Sequence, residues 1–184
     1  MQQKSVRIVN FLHLSPEKYD KILEYRNQKY VREASLNTDI ITKNQHENYL
    51  NLLKKQDLFF AFLITVDDKD YAVISLKKVN DDTFYIGDYL VNEVYKFEGG
   101  GVVNKFCTHY ICEKLGAKFI SYDILYTTTR NLRTGKMGEV VAHKENDSSF
   151  TQTTKLYSYN SLEILNSKQR KLFDKMYEIK ECIL

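Results

Sequence analysis

Three glycines in a row, Gly99-Gly100-Gly101, stand in a chain of 184 residues that has only seven glycines and one proline. They follow an apolar run of β type, Thr83 to Val91 (TFYIGDYLV), and precede the stretch VVNKFCTHYICEKLG. In that stretch Val102, Val103, Phe106, Tyr110, Ile111 and Leu115 recur at helical spacing. The pattern predicts a strand, a tight turn and a helix in direct succession, with Gly116 as the helix C-cap. Such a turn suits an anion. The first N–H groups of a helix have no intrahelical acceptor, the helix dipole adds positive potential, and glycine lets a phosphate lie against the backbone.

Two common phosphate-binding patterns are excluded. A dinucleotide-binding G-x-G-x-x-G would need a later glycine, and Lys105 stands near that place. A P-loop ends in Gly-Lys-Ser/Thr, whereas Gly101 is followed by Val102-Val103.

The rest of the chain supplies the neighbours of this unit. Ser5 to Leu12 alternates as a first strand, and Ser15-Pro16 opens a helix through Tyr19, Ile22, Leu23 and Tyr25-Arg26. Thr42 with Gln45 forms a capping box, and His46, Tyr49, Leu50 and Leu53 share one face of the helix behind it. Leu58–Val66 and Tyr71–Lys78 read as strands flanking an Asp67-Asp68-Lys69-Asp70 turn. Phe119–Leu125 is a strand, Thr127–Thr134 a short helix or loop, and Met137–Ala142 and Phe150–Tyr159 closing strands. Ser167–Ile179 reads as a final helix, part of a C-terminal extension from about residue 160 that could lie outside the core. The order predicts a single α/β (α+β) domain over residues 1–184 with a mixed sheet of six or seven strands.

Charge narrows the partners. With 27 basic and 24 acidic residues the net charge is +3, too balanced for a nucleic-acid or membrane-surface protein. Cys107, Cys112 and Cys182 have no metal or redox spacing, so no metal is expected and buried thiols in a reducing cytoplasm are. The N-terminus shows no convincing signal-peptide core, and no run approaches a membrane span.

Lys96-Phe97-Glu98-Gly99-Gly100-Gly101 resembles the Q/R-x-x-G-x-G/A motif with which the GNAT superfamily of N-acetyltransferases binds the coenzyme A pyrophosphate, lysine replacing glutamine or arginine. The resemblance implies a mostly antiparallel sheet with helices on both faces and a central strand pair that splays to admit the pantetheine arm. It places that arm along Tyr89 and Val91, the pyrophosphate on the N–H groups of Gly99 to Val103 with Val102 between, and the Leu90 N–H at the thioester carbonyl. Lys136-Met137-Gly138 resembles the family's K-x-G ending; Asn131 is the nearby asparagine, and Thr134 stands where a tyrosine usually protonates the leaving thiolate. Thr134, Tyr126 or water remain open for that step.

The N-terminal third, with Leu23-Glu24-Tyr25-Arg26-Asn27 and then His46-x-x-Tyr49-Leu50-x-x-Leu53, is similar to the sugar-nucleotide N-acetyltransferases of pseudaminic acid biosynthesis. This implies acetyl-coenzyme A as cofactor, a nucleotide-linked amino sugar as acceptor, and Arg26, Asn27 and His46 facing it. Lys77 and Lys78 offer further donors to a diphosphate. His46 suits the general base, with Asp88 or Asp123 as alternatives. A homodimer is compatible with the family. An acyltransferase for a protein N-terminus or another small amine, and a non-catalytic binding domain, are the rival expectations.

Overall fold

The computed structural model describes residues 2–55, 57–127 and 137–184. In chain order the elements are β1 (Lys4–Asn10), α1 (Pro16–Asn27), α2 (Lys29–Glu33), α3 (Lys43–Lys55), β2 (Phe59–Val66), β3 (Lys69–Lys78), β4 (Thr83–Leu90), α4 (Gly100–Lys114), β5 (Phe119–Leu125), β6 (Gly138–Glu145), β7 (Ser149–Leu156), α5 (Leu162–Leu165), α6 (Lys168–Met176) and β8 (Tyr177–Ile183). The strands form one eight-stranded sheet in the order β6-β7-β5-β4-β3-β2-β1-β8. Pairing is antiparallel except for β4 with β5 and β1 with β8.

Local sequence accounts for many of the element ends. The Thr42–Gln45 box closes in both directions: Gln45 Oε1 accepts from the Thr42 N–H at 2.8 Å, and Thr42 Oγ1 accepts from the Gln45 N–H at 3.3 Å. The β2–β3 hairpin turns on Asp67 and Asp68, with φ of 49° and 62°. Aspartate tolerates this left-handed region better than most side chains, and two such residues in succession match the twist of the strands.

Alternation along the strands sends apolar residues to both faces. On one face α4, α5 and α6 cover a core of Ile8, Phe62, Ile64, Ile74, Leu76, Phe84, Ile86, Phe106, Ile164 and Phe173. On the other, α1 and α3 cover Phe11, Ala61, Leu63, Val73 and Val91. The second core draws on β2, β3 and the end of β4 but takes no residue from β5, β6 or β7, so the helical cover on that face stops at β4. Helices on both faces of a mixed, mostly antiparallel sheet are the architecture expected.

The C-terminal reading needs correction. The final helix ends at Met176, and Tyr177–Ile183 is a strand pairing in parallel with β1, so the sheet has eight strands rather than six or seven. Only Tyr177 and Ile179 alternate with polar neighbours before a bulge at Lys180 breaks the period, and a strand forms because β1 offers a free edge. The segment is tied to α4 by Phe173, whose ring lies 5.2 Å from Phe106, and by Lys105 Nζ, which donates to Gln169 at 2.7 Å; Arg170 stacks 4.2 Å over Tyr159, ahead of α5, and donates to its carbonyl at 2.9 Å.

Candidate active site

β4 and β5 are neighbours for only part of their length. Three residue pairs join them, Thr83–Phe119, Phe84–Ile120 and Tyr85–Ser121, and beyond Tyr85 the strands separate. This opens a fork between Ile86–Leu90 and Tyr122–Leu125. Antiparallel pairing decides which backbone groups face it. The Val91 N–H bonds to the Tyr71 carbonyl at 3.0 Å, so odd-numbered residues of β4 turn their backbone toward β3. Asp82 already directs its carbonyl at the Phe119 N–H, 2.9 Å away, and the same parity aims Ile86, Asp88 and Leu90 into the fork. The expectation that Tyr89 and Val91 hold a pantetheine arm is therefore corrected for their backbones. Both Val91 groups are engaged, the carbonyl by Gln28 Nε2 at 3.1 Å. The Leu90 N–H points into the fork, while its carbonyl accepts from Tyr30 at 2.5 Å.

At the end of β4 a short turn, Glu93–Lys96, leads into the glycines. Gly99 sits at φ +85° as the N-cap of α4, a conformation that L side chains rarely adopt. A Cβ on Gly100 would stand 2.6 Å from the Tyr95 carbonyl oxygen, so only glycine fits there. At Gly101 a Cβ would meet nothing within 4 Å, and the space over the helix N-terminus is open. Val102 donates back to Gly99 at 2.9 Å, and Val103 is fully buried in the core. Lys96 lies 4.7 Å over the Tyr30 ring and 3.4 Å from Glu93.

The two faces of the fork differ in chemistry. On the α4 face Asp88 accepts from Asn104 of α4. Asp88 is open to solvent along the fork yet ringed by protein, and this desolvation raises its carboxyl above the ordinary range, outweighing the donation from Asn104. Tyr122 shares this face, its oxygen accepting from Gln152 at 2.5 Å. Cys107 is buried beneath, and burial pushes its thiol up, away from nucleophilic use.

On the α1–α3 face Tyr89 lies among Arg26, Tyr25, Tyr30 and Tyr49. Arg26 donates through Nη2 to the Asn37 carbonyl at 3.0 Å, while its Nη1 is buried without a partner. Desolvation lowers its pKa, with Tyr89 acting in the opposite direction. Asn27 is spent on structure, since its amide donates to and accepts from Ile41 at 2.8 Å each way. His46 packs against α1 beside Tyr19 and Asp20, its Nε2 buried without a partner. Lys77 lies 5.9 Å over the Phe59 ring and Lys78 pairs with Asp81 at 3.2 Å; both sit at the far end of β3, opposite Tyr85 and Phe84. The structure thus brings Arg26 and Tyr89 together and leaves His46 and the two lysines in other surroundings. Thr134, Asn131 and Lys136 lie outside the described residues. Tyr126 is engaged by Glu145 and Asn146.

Sequence reasoning did not find a bridge across the base of the fork. Tyr85 donates to Asp123 Oδ2 at 2.6 Å and Thr151 to Asp123 Oδ1 at 2.5 Å. The three residues lie on three strands that only the fold makes neighbours. Among the described residues no group of three or more His, Cys, Asp or Glu could hold a metal ion, and no helix is long and apolar enough to cross a membrane.

No family model and no curated protein matches the chain. Solved structures do. The N-acetyltransferase PseH of Campylobacter jejuni, in complex with acetyl coenzyme A, has a TM-score of 0.60 at 16% identity, covering 82% of this chain and 98% of that one. AAC(6')-Ib with acetyl-CoA and an aminoglycoside gives 0.67 at 13%, covering 89% and 99%. Spermidine N-acetyltransferase of Vibrio cholerae, with CoA and spermine, gives 0.67 at 9%, covering 85% and 98%. The chain has the N-acetyltransferase fold. At these identities the likeness is one of architecture, and it includes an acetyltransferase described as of the GNAT family from Streptococcus pneumoniae, at a TM-score of 0.58 and 11% identity.

Proposed function

We propose that this chain is an acetyl-coenzyme A-dependent N-acetyltransferase whose acceptor is the amine of a nucleotide-linked (UDP or dTDP) deoxy amino sugar. The observation that carries the reading is that β4 links two features in a few residues: a fork with inward-facing backbone groups, and a glycine turn with an open helix N-terminus. The residues fit the donor. Gly100 is pressed against the turn where a Cβ would clash, Gly101 leaves the helix end clear, and the Gly100 and Gly101 N–H groups, unlike that of Val102, are not taken by a backbone acceptor among the described residues. Gly99 to Val103 with Lys96 would hold the pyrophosphate, and Asp88 and Leu90 would line the arm. Acetyl-coenzyme A would supply the activated acetyl group.

The protein's own part is positioning. The Leu90 N–H, aimed into the fork, serves as a fixed donor toward developing negative charge. The amine approaches from the α1–α3 face, because the opposite face is filled by α4. Attack by a correctly held amine needs no enzyme nucleophile, and orientation alone supplies several kcal/mol of the barrier. Arg26 supports a phosphate-bearing acceptor: its buried Nη1 lacks a partner beside the tyrosine cluster, and a guanidinium is suited to phosphate. His46, fixed to α1, fits a packing role better than that of the base.

A small free amine is the second reading, favoured by the spermine and aminoglycoside bound to two structural neighbours. Calorimetry with coenzyme A, followed by thiol release from acetyl-coenzyme A with a panel of UDP- and dTDP-amino sugars, spermidine and aminoglycosides, tests both. Release with a sugar nucleotide is the expected result. Release with only the small amines moves the assignment to the second reading, and failure to bind coenzyme A removes both.

A further inference from the structure

Asp123 is a half-buried carboxylate at the base of the fork, on the face from which an acceptor enters. It is fixed from both sides, by Tyr85 of β4 and Thr151 of β7, and both donors are neutral hydroxyls. No lysine, arginine or histidine lies within ion-pair distance of it among the described residues, although twelve ion pairs are formed elsewhere. Lys144 stands on its row one strand past Thr151 and Lys77 on the adjacent row beyond Tyr85, and neither pairs with it. A negative charge held rigid, partly desolvated and without a countercharge favours a cation in its remaining lone-pair directions.

The space in front of it is also prepared. Continuing the register of Tyr85–Ser121 by two residues sets Gly87 opposite Asp123, so past the Tyr85 phenol β4 presents no further side chain there. Beyond it the β5–β7 floor carries Thr151 and Thr153, half-buried short hydroxyl side chains outside the cover of α1 and α3.

We propose that Asp123 is the anchor for the acceptor's ammonium group: the substrate is a primary amine that arrives as a cation, seats its nitrogen on Asp123 and lays its polar body on the hydroxyl floor of β5 and β7. This rests on the acetyltransferase reading of the fork and adds the residue that selects the amine. Asp123 acts by binding and orienting the nitrogen; the ammonium first gives one proton to solvent, the neutral amine then attacks the thioester carbonyl, the C–S bond breaks, and the second proton of the nitrogen leaves with the thiolate as the coenzyme A thiol.

Asp123→Asn keeps the shape and one of the two hydroxyl donors on its remaining oxygen, the hydroxyl at the other position turning to accept from the amide N–H, while removing the charge. Two acceptors that do not depend on the nucleotide assignment test it: ethanolamine, cationic at neutral pH, and hydroxylamine, neutral there. The variant is expected to lose about 100-fold in kcat/KM for ethanolamine, mainly through KM, and less than about 3-fold for hydroxylamine. Asp123→Glu should recover part of the loss. In an equilibrium arm, the wild-type coenzyme A complex should prefer a UDP-linked 4-amino sugar over its 4-hydroxyl counterpart, and the Asn variant should bind them equally. Equal losses for both small amines, or an unchanged KM for ethanolamine, overturn the assignment of Asp123. Loss of coenzyme A binding in the wild type overturns the acetyltransferase reading and this inference with it, whereas failure of only the UDP-sugars to bind removes the nucleotide reading and leaves the small-amine arm to judge Asp123.

Discussion

The Tyr85 hydroxyl reaches across the point where β4 and β5 part and donates a 2.6 Å hydrogen bond to Asp123. Tyr85 belongs to the last residue pair that joins the two strands, and Asp123 lies two residues past its partner Ser121. The bond therefore closes the base of the fork with a side chain just where the backbone ladder stops. Burial and the neighbouring carboxylate both raise the Tyr85 phenol, so the phenol keeps its proton and acts as the donor.

Tyr85→Phe removes that strut and leaves Asp123 with one protein donor. A stability loss of about 1 kcal/mol is expected in urea unfolding. Coenzyme A affinity should stay as it is, because Tyr85 faces away from α4.

Gly100 and Gly101 should separate fold from function. Gly100→Ala drives a Cβ to 2.6 Å from the Tyr95 carbonyl and should cost about 1–3 kcal/mol in thermal unfolding. At Gly101 a Cβ meets nothing within 4 Å, so the fold should survive Gly101→Glu. Its carboxylate lies over the helix N-terminus and should weaken coenzyme A binding roughly 100-fold by calorimetry. Retained tight binding would sink the pyrophosphate site.

Arg26→Met tests the orphaned guanidinium nitrogen. The change removes one hydrogen bond to Asn37 and also one buried donor without a partner, so stability should shift by less than about 1 kcal/mol. Affinity for a UDP-linked amino sugar should fall roughly 10- to 100-fold, as expected for a charge-assisted bond to phosphate. Affinity for coenzyme A alone should not change.

His46 and His109 predict a pH dependence of stability. Desolvation lowers both below the usual imidazole value of 6.5, and His109 is fully buried with Nε2 at 2.8 Å from the Tyr157 carbonyl. Between the folded value and 6.5 the unfolded chain binds more protons than the folded one. Stability is thus complete above 6.5 and is lost as pH falls below it, at up to about 1.4 kcal/mol per pH unit for each histidine. Urea unfolding across this window should show the slope, and His109→Gln should reduce it. A flat wild-type profile would show that neither histidine is held neutral.

Phe173→Ala tests whether the C-terminal segment belongs to the core. Phe173 is 2% exposed, with Phe106 at 5.2 Å and Tyr177 at 5.6 Å. A loss of about 3–5 kcal/mol is expected in denaturant unfolding. A loss under about 1 kcal/mol would mean that α6 and β8 are an appendage.

What the sequence determined by itself was local. The glycine turn between a strand and a helix, the Thr42–Gln45 box and the Asp67-Asp68 hairpin are each set by residues a few positions apart, whose conformational preferences act without the rest of the chain. Tertiary structure decided which edge of β4 each backbone group faces, because this depends on the register with β3, and that register directs Asp88 and Leu90 rather than Tyr89 and Val91 into the fork. It also decided that Tyr177–Ile183 is a strand, since a lone strand has no partner for its N–H and C=O groups until β1 supplies one. The Tyr85–Asp123–Thr151 bridge joins positions 38 and 28 residues apart, and no periodicity in the chain marks it.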